Sequence, residues 1–271
     1  MSAFEAIVLG LVQGLTEFLP ISSSGHLRVV PAFAGWEDPG AAFTAVIQLG
    51  TMAAVLVYFR HDLARIAVAW VRELRVPWRR RTHEANLGWL IILGTIPISI
   101  FGFAFSDQIE SGARDLYLIG TTLIVFSFVM LLAERAATQR RGLSEIGGRD
   151  GLAIGFAQAL ALVPGVSRSG ATISAGLLLG FDRAAAARYS FLLSVPAVVL
   201  SGLFELRDIG DGESASVAAT AIATVVAFAS GYAAIAWLLR YLANHTLGVF
   251  VAYRIPLGVL VLALAASGAI S

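Results

Sequence analysis

The sequence predicts an all-α, polytopic membrane protein that folds as one integral membrane domain over residues 1–271. Hydrophobic residues make up 58% of the chain and charged residues only 14%, whereas soluble domains average about 45–50% and about 25%. Apolar runs of about 17–22 residues recur, and as helices they can cross a hydrocarbon layer about 30 Å thick. The chain has no cysteine, which excludes thiol catalysis, thiolate-bound metals and disulfides.

Six segments are long and apolar enough to span a bilayer, and the charges of their loops orient them. The segments are residues 43–59, 87–105, 116–133, 185–204, 217–239 and 248–266. Seven arginines lie within 60–81, and 135–149 and, more weakly, 240–254 are also basic, whereas 106–115 and 207–214 are acidic or mixed. Because basic loops stay in the cytoplasm, this alternation predicts that 60–81 is inside and 106–115 is outside.

Two polar motifs interrupt the remaining apolar segments, and they match each other. Residues 13–26 read QGLTEFLPISSSGH, and residues 158–171 read QALALVPGVSRSGA. Aligning their first glutamines, Gln13 and Gln158, places two serines and a glycine in register. The pairs are Ser22 and Ser167, Ser24 and Ser169, and Gly25 and Gly170.

The two motifs predict re-entrant helical hairpins. They lie in residues 1–34 and 151–179, and the orientation of the six spans requires each segment to enter and leave at one face. Broken backbone at membrane depth is tolerated only where it is buried in protein or lines a cavity. Each hairpin is followed by three spans, so residues 1–133 and 150–271 form two halves of an inverted repeat, with the site between them.

The two copies differ in the residues that can do chemistry. Glu17, Ser23 and His26 of the first copy face Leu162, Arg168 and Ala171 of the second. An ionisable group at membrane depth is costly, so Glu17 and Arg168 indicate function, although a purely structural ion pair is the alternative. The serine turns can each start a helix, and helix N-termini attract phosphate. Two such ends and Arg168 predict a clamp for a diphosphate.

Both motifs resemble the signature regions of the undecaprenyl-diphosphate phosphatase (bacitracin-resistance) family of bacterial membrane enzymes. The resemblance covers essentially the whole chain and includes IQLG at 47–50 and FLLSVPA at 191–197. It implies hydrolysis of undecaprenyl diphosphate to the monophosphate with release of phosphate, a divalent cation, and recycling of the lipid carrier for peptidoglycan synthesis. We expect the protein in the bacterial plasma membrane. A cavity from the midplane to the outer side, lined by the helix N-termini, would bind the headgroup while the polyprenyl tail stays in lipid. Carried over by position, the functional residues are Gln13, Glu17, Ser23, His26, Ser167, Arg168 and Thr172.

The roles of these residues follow as expectations. Ser23 is the favoured nucleophile, with His26 as its base and Glu17 orienting the imidazole; His26 or activated water are the alternative nucleophiles. Arg168 contacts the phosphoryl oxygens, and Glu17 with Gln13 is alternatively the ligand set of Mg²⁺ or Ca²⁺, because the available ligands are oxygens. The candidate substrate-binding residues are Ser22, Ser24, Gly25, Ser167, Ser169, Gly170 and Thr172.

Two other classes of protein compete with this interpretation. Inverted repeats with broken helices are also typical of transporter folds. A transporter or flippase of an anionic or lipid-linked substrate is therefore the main alternative. A phosphatidate-type phosphatase of the acid-phosphatase superfamily is disfavoured, because its separated lysine, arginine and histidine motifs are missing. The expected partners are a polyprenyl diphosphate and membrane lipids, with a homodimer also considered and no nucleic acid.

Overall fold

The computed structural model describes residues 1–112, 115–205 and 216–270, in which the regular elements are helices. The α-helices are, in order, α1 (Ala3–Phe18), α2 (Ser23–Ala34), α3 (Gly40–Tyr58), α4 (Arg60–Arg72), α5 (His83–Ala104), α6 (Ser106–Gly112), α7 (Leu116–Ala136), α8 (Gly148–Ala159), α9 (Arg168–Leu178), α10 (Arg183–Glu205), α11 (Val217–Leu242) and α12 (Gly248–Ala266). The all-α prediction is confirmed for these residues. The predicted outer loop 207–214 lies outside them.

Five helices are long and apolar enough to cross a membrane, namely α5, α7, α10, α11 and α12. They correspond to five of the six predicted spans. The sixth, α3, qualifies only together with α4, and the two helices are bent by 72° at their junction. The bend falls where the apolar run of α3 gives way to Arg60, His61 and Asp62. The chain is therefore a multi-pass membrane protein with five or six candidate spans.

Each motif lies at the bend of a helical hairpin. In the first hairpin, α1 and α2, the ring of Phe4 lies 6.2 Å from that of Trp36, so the hairpin returns to the side where it began. In the second, α8 and α9, one arginine joins the two ends: Arg141 donates to Asp150 Oδ2 at 2.6 Å and to the Leu179 carbonyl at 3.0 Å.

The two hairpins break with the same backbone geometry. Ser22 has φ 76° and ψ 100°, and Ser167 has φ 75° and ψ 118°. A positive φ is uncommon for a residue other than glycine and costs about 1–3 kcal/mol. Each serine offsets part of this cost by capping the next helix. Its Oγ accepts the N–H of Gly25 at 3.4 Å in the first copy and of Gly170 at 3.2 Å in the second. Matched backbone geometry thus accompanies the matched sequence.

Equivalent glycines let each hairpin pack closely on a long helix of the other half. Gly10 of α1 and Gly155 of α8 are equivalent in the alignment that pairs Gln13 with Gln158. A Cβ added to Gly10 would lie 2.5 Å from the Ala223 carbonyl oxygen of α11, and one on Gly155 would lie 2.5 Å from the Gly94 carbonyl oxygen of α5. Through these contacts each hairpin packs against a long helix from the other half of the chain, and the two turns lie close together.

We expect Gly155→Ala to separate α8 from α5 and to lower the free energy of unfolding by about 1–3 kcal/mol, as overpacking does. The new Cβ meets backbone, which no side-chain rotation can relieve. Thermal unfolding of purified protein in detergent, followed by tryptophan fluorescence, measures the change. Gly148→Ala is the control, because a Cβ there has no neighbour within 4 Å. Equal stability of the two variants would contradict the close helix contact.

Candidate active site

Glu17 is the centre of a polar cluster that joins the two hairpins. Its Oε1 accepts a hydrogen bond from Arg168 Nη2 at 2.5 Å. Its Oε2 accepts from Ser23 Oγ at 2.6 Å and from Gln13 Nε2 at 3.3 Å. The Glu17 and Arg168 side chains are only 9% and 16% exposed. The structure therefore brings four of the predicted site residues into one largely buried group.

The repeat explains why these side chains meet. Gln13 lies one helical turn before Glu17, on the same face of α1. Ser23 and Arg168 are the first residues of α2 and α9, and they occupy equivalent positions in the two motifs. When the two turns converge, the hydroxyl and the guanidinium approach the same carboxylate from the two halves. The convergence of the motifs predicted from the sequence is thus present, with Glu17 as the link.

The cluster also contains an oxygen suited to a cation. Gln13 is buried, and its Oε1 has no hydrogen-bond partner. A buried amide oxygen beside a carboxylate fits a hard cation such as Mg²⁺ or Ca²⁺, which Glu17 and Gln13 would hold together. The described residues contain no group of three or more histidine, aspartate or glutamate side chains placed for a metal ion. A cation here would take its other ligands from substrate and water.

His26 is held apart from this cluster. Its Nδ1 lies 2.7 Å from the Ser22 carbonyl oxygen, and because a carbonyl only accepts, Nδ1 carries the proton. Its Nε2 lies 2.8 Å from the Tyr253 hydroxyl, and the two rings stack. The structure does not show the predicted arrangement of Ser23 with His26 as base and Glu17 behind it, and the catalytic roles of these residues stay predictions. The start of α2 directs Ser23 towards α1 and His26 towards α12.

The serines of the two turns form matching hydrogen bonds. Ser22 Oγ lies 3.2 Å from Ser24 Oγ, and Ser167 Oγ lies 3.2 Å from Ser169 Oγ. The first serine of each pair also caps its helix. These hydroxyls therefore fix the shape of the turns. Ser24 is exposed and the other three are buried, so the site is accessible at the first turn.

The first amides of both helices are available to a ligand. In the described part of the chain, the backbone N–H groups of Ser23 and Ser24 have no acceptor, and the same holds for Arg168 and Ser169. The amides of the two predicted glycines, in contrast, are already bonded to the capping serines. Helix N-terminal amides favour phosphate oxygens. Two pairs of unbonded amides are therefore present, one pair at the start of α2 and one at the start of α9.

Thr172 is placed differently from the other predicted binding residues. It is fully buried, and its Oγ1 lies 2.5 Å from Ser190 Oγ and 2.8 Å from the Arg168 carbonyl oxygen. These bonds tie α9 to α10 behind the turn. They hold the backbone of Arg168, while direct contact between Thr172 and substrate stays a prediction.

The sequence analysis missed two residues of α12. Arg254 was counted in the basic loop 240–254, which is wrong, because it is fully buried within the helix. It donates to the carbonyls of Pro20 and Gly165 at 3.2 and 2.8 Å. An arginine inside the apolar run 248–266 carries the same signal of function as Arg168. The sequence holds no comparable signal for Tyr253, whose partner His26 lies 227 positions away.

Comparison with known proteins assigns the chain to a family. Residues 6–260 match the family described as Bacitracin resistance protein BacA. The chain is 54% identical to "Undecaprenyl-diphosphatase 2" of Streptomyces avermitilis, over 100% of this chain and 97% of that protein. It is 56% identical to "Undecaprenyl-diphosphatase 3" of Frankia alni, with the same coverage, and 54% identical to "Undecaprenyl-diphosphatase" of Thermobifida fusca, over 100% and 93%.

The match extends through both hairpins and all the long helices. It therefore includes the whole Glu17 cluster and the α12 residues that contact the turns. The chain belongs to the Bacitracin resistance protein BacA family.

Proposed function

We propose that this protein hydrolyses undecaprenyl diphosphate to undecaprenyl phosphate and inorganic phosphate, which recycles the lipid carrier for cell-wall synthesis. The observation that carries the proposal is the hydrogen-bonded group of Ser23, Glu17 and Arg168 between two helix N-termini. It combines a hydroxyl, a base and a guanidinium, the groups that phosphoryl transfer requires. Relatives at 52–56% identity are named undecaprenyl-diphosphatase, which favours hydrolysis over transport.

The diphosphate is proposed to bind between the two turns. Its oxygens accept from the free amides of Ser23 and Ser24 on one side and of Arg168 and Ser169 on the other, with the Arg168 guanidinium adding paired donors. The polyprenyl chain stays in the lipid. A site that opens at the exposed Ser24 suits a substrate whose headgroup alone enters the protein.

The chemical step is assigned to Ser23 with Glu17 as its base. Ser23 Oγ attacks the terminal phosphorus while Glu17 Oε2, 2.6 Å away, accepts its proton. The bond from that phosphorus to the bridging oxygen breaks, and undecaprenyl phosphate leaves. Water then hydrolyses the phosphoserine and releases inorganic phosphate. Attack by His26 or directly by water are the competing routes.

A divalent cation, Mg²⁺ or Ca²⁺, is proposed at Glu17 and the unpartnered Oε1 of Gln13. When bound, it supplies positive charge that neutralises the phosphoryl oxygens. Arg168 supplies the permanent positive charge from the second hairpin. The protein's own groups therefore act from both halves on one phosphoryl group.

The proposed topology has six spans and two re-entrant hairpins. Helices α3, α5 and α7 complete the first half, and α10, α11 and α12 complete the second. The first hairpin dips into the plasma membrane from outside and the second from the cytoplasm, with the catalytic site opening to the outer side. The support is the loop charge together with hairpins whose two ends lie side by side.

Single-cysteine labelling tests this topology, because the chain has no native cysteine. We expect Glu37→Cys and Asp107→Cys to react with a membrane-impermeant maleimide in intact cells. Arg79→Cys and Arg149→Cys should react only after permeabilisation. All four positions are exposed. Reaction of Glu37→Cys and Arg149→Cys from the same face would contradict opposite insertion of the hairpins.

Phosphate release from undecaprenyl diphosphate by purified protein in detergent tests the activity. We expect EDTA to stop the reaction and Mg²⁺ or Ca²⁺ to restore it. Arg168→Lys should lower kcat/KM by about 100-fold, as removing one transition-state donor does, because lysine lacks the paired donors. Arg240→Lys, at an exposed site near the end of α11, is the control.

Two results would change this account. Near-wild-type turnover in Arg168→Lys would reduce Arg168 to a general counter-charge. A folded wild-type protein that releases no phosphate in the presence of either cation would favour the transporter alternative.

Rapid-quench trapping with terminally labelled diphosphate identifies the nucleophile. With Ser23, we expect a labelled adduct that is stable to acid, labile to alkali and missing in Ser23→Ala. An acid-labile adduct that persists in Ser23→Ala and disappears in His26→Ala would identify histidine instead. Turnover without an adduct at any quench time would indicate direct attack by water.

A further inference from the structure

Among the residues that the structure describes, Arg254 is the most deeply buried charged side chain that the proposed reaction does not use. It lies in the middle of α12 and is 0% exposed. Its three nitrogens donate to three separate elements. Nε bonds Ser127 Oγ of α7 at 3.1 Å, Nη1 bonds the Pro20 carbonyl at 3.2 Å, and Nη2 bonds the Gly165 carbonyl at 2.8 Å.

The two carbonyls that Arg254 binds are equivalent in the repeat. The alignment that pairs the two motifs also pairs Pro20 with Gly165. Each carbonyl lies two residues before the strained serine that caps the next helix, Ser22 or Ser167. One guanidinium therefore holds the same backbone atom of both hairpins and lies between the two halves.

Packing alone does not account for an arginine at this position. In the described part of the chain, no carboxylate lies within ion-pair distance of Arg254, and its acceptors are two carbonyls and a hydroxyl. Burying a cation without an anion is costly. Methionine would fill a similar volume without that cost, but it would leave both carbonyls unbonded in an apolar region.

We propose that Arg254 is a positioning residue that sets the spacing of the two turns. The rigid planar fork fixes where Pro20 and Gly165 lie relative to each other. It thereby fixes the separation of Ser23 and Arg168, which follow these carbonyls by three residues in each copy. Lysine, a point charge on a flexible stem, cannot hold both carbonyls in one geometry. The consequence for catalysis rests on the proposed diphosphatase activity, whereas the consequence for spacing does not.

Kinetics test the catalytic part of the proposal. Misplacing reacting groups by about 1 Å costs about 100-fold in rate, so Arg254→Lys should lower kcat by that order with a much smaller change in KM. The kcat of Arg254→Met per folded molecule should be at least as low as that of Arg254→Lys. Arg141→Met is the matched control, because Arg141 also bridges carbonyls and an acid, but at the far end of the second hairpin. It should lower the Tm and leave kcat per folded molecule unchanged.

A distance measurement tests the spacing without reference to activity. Leu15 and Leu160 are equivalent in the repeat, are 43% and 52% exposed, and lie near the two turns in a cysteine-free chain. Spin labels on Leu15→Cys and Leu160→Cys report their separation by double electron–electron resonance. Arg254→Met should shift or widen the distance distribution, and Arg141→Met should leave it unchanged.

The kinetic and distance results distinguish the positioning role of Arg254 from the proposed diphosphatase activity. Unchanged distances in an inactive, folded Arg254→Met protein would overturn the positioning role and place Arg254 on the substrate. Normal kcat in Arg254→Met would overturn it as well. If Arg254→Met does not fold, Arg254→Lys serves for both measurements. A wild-type protein without diphosphatase activity would refute the proposed function, while the distances would still test the spacing.

Discussion

A helix that is broken in apolar surroundings leaves backbone N–H and C=O groups that must find partners within the protein. Two such breaks meet in this molecule, and the structure shows which of their backbone groups are hydrogen-bonded. The carbonyls of Pro20 and Gly165 bind Arg254, and the serine caps take one amide of each helix. The first amides of α2 and α9 stay free. These unbonded amides are the backbone part of the candidate site, beside the side chains of the Glu17 cluster.

The two turns share one backbone geometry, and the side chains that differ between them form the candidate site. The caps at Ser22 and Ser167 share one geometry, down to a hydroxyl pair of the same length in each turn. Glu17, in contrast, has only an apolar counterpart in the second copy, Leu162. The carboxylate of Glu17 and the hydroxyl of Ser23 come from the first turn and its helix, and the guanidinium of Arg168 comes from the second turn. Neither half has a complete site.

The sequence predicted the parts of the structure that depend on local pattern. Apolar run length identified five long helices, and the matched motifs identified both turns and their convergence. The ion pair between Glu17 and Arg168 was only an alternative interpretation of the sequence, and the structure contains it. The sequence could not predict the partner of His26, because a stack on Tyr253 depends on how α12 packs beside α2. Arg254 was misassigned because the predicted basic loop 240–254 overlapped the predicted span 248–266, and the residue belongs to the helix. The 72° bend between α3 and α4 was likewise not predicted from the sequence.

The ion pair between Glu17 and Arg168 has a consequence for which molecules the site accepts. With its carboxylate already against the guanidinium, Glu17 is an internal anion that competes with an external anion for Arg168. A ligand that binds only this guanidinium loses the free energy of breaking the pair, whereas a ligand that also accepts from the unbonded amides of α2 and α9 gains further hydrogen bonds. A diphosphate can contact both helix ends at once, and so the resting pair acts as a filter for ligands with several charges.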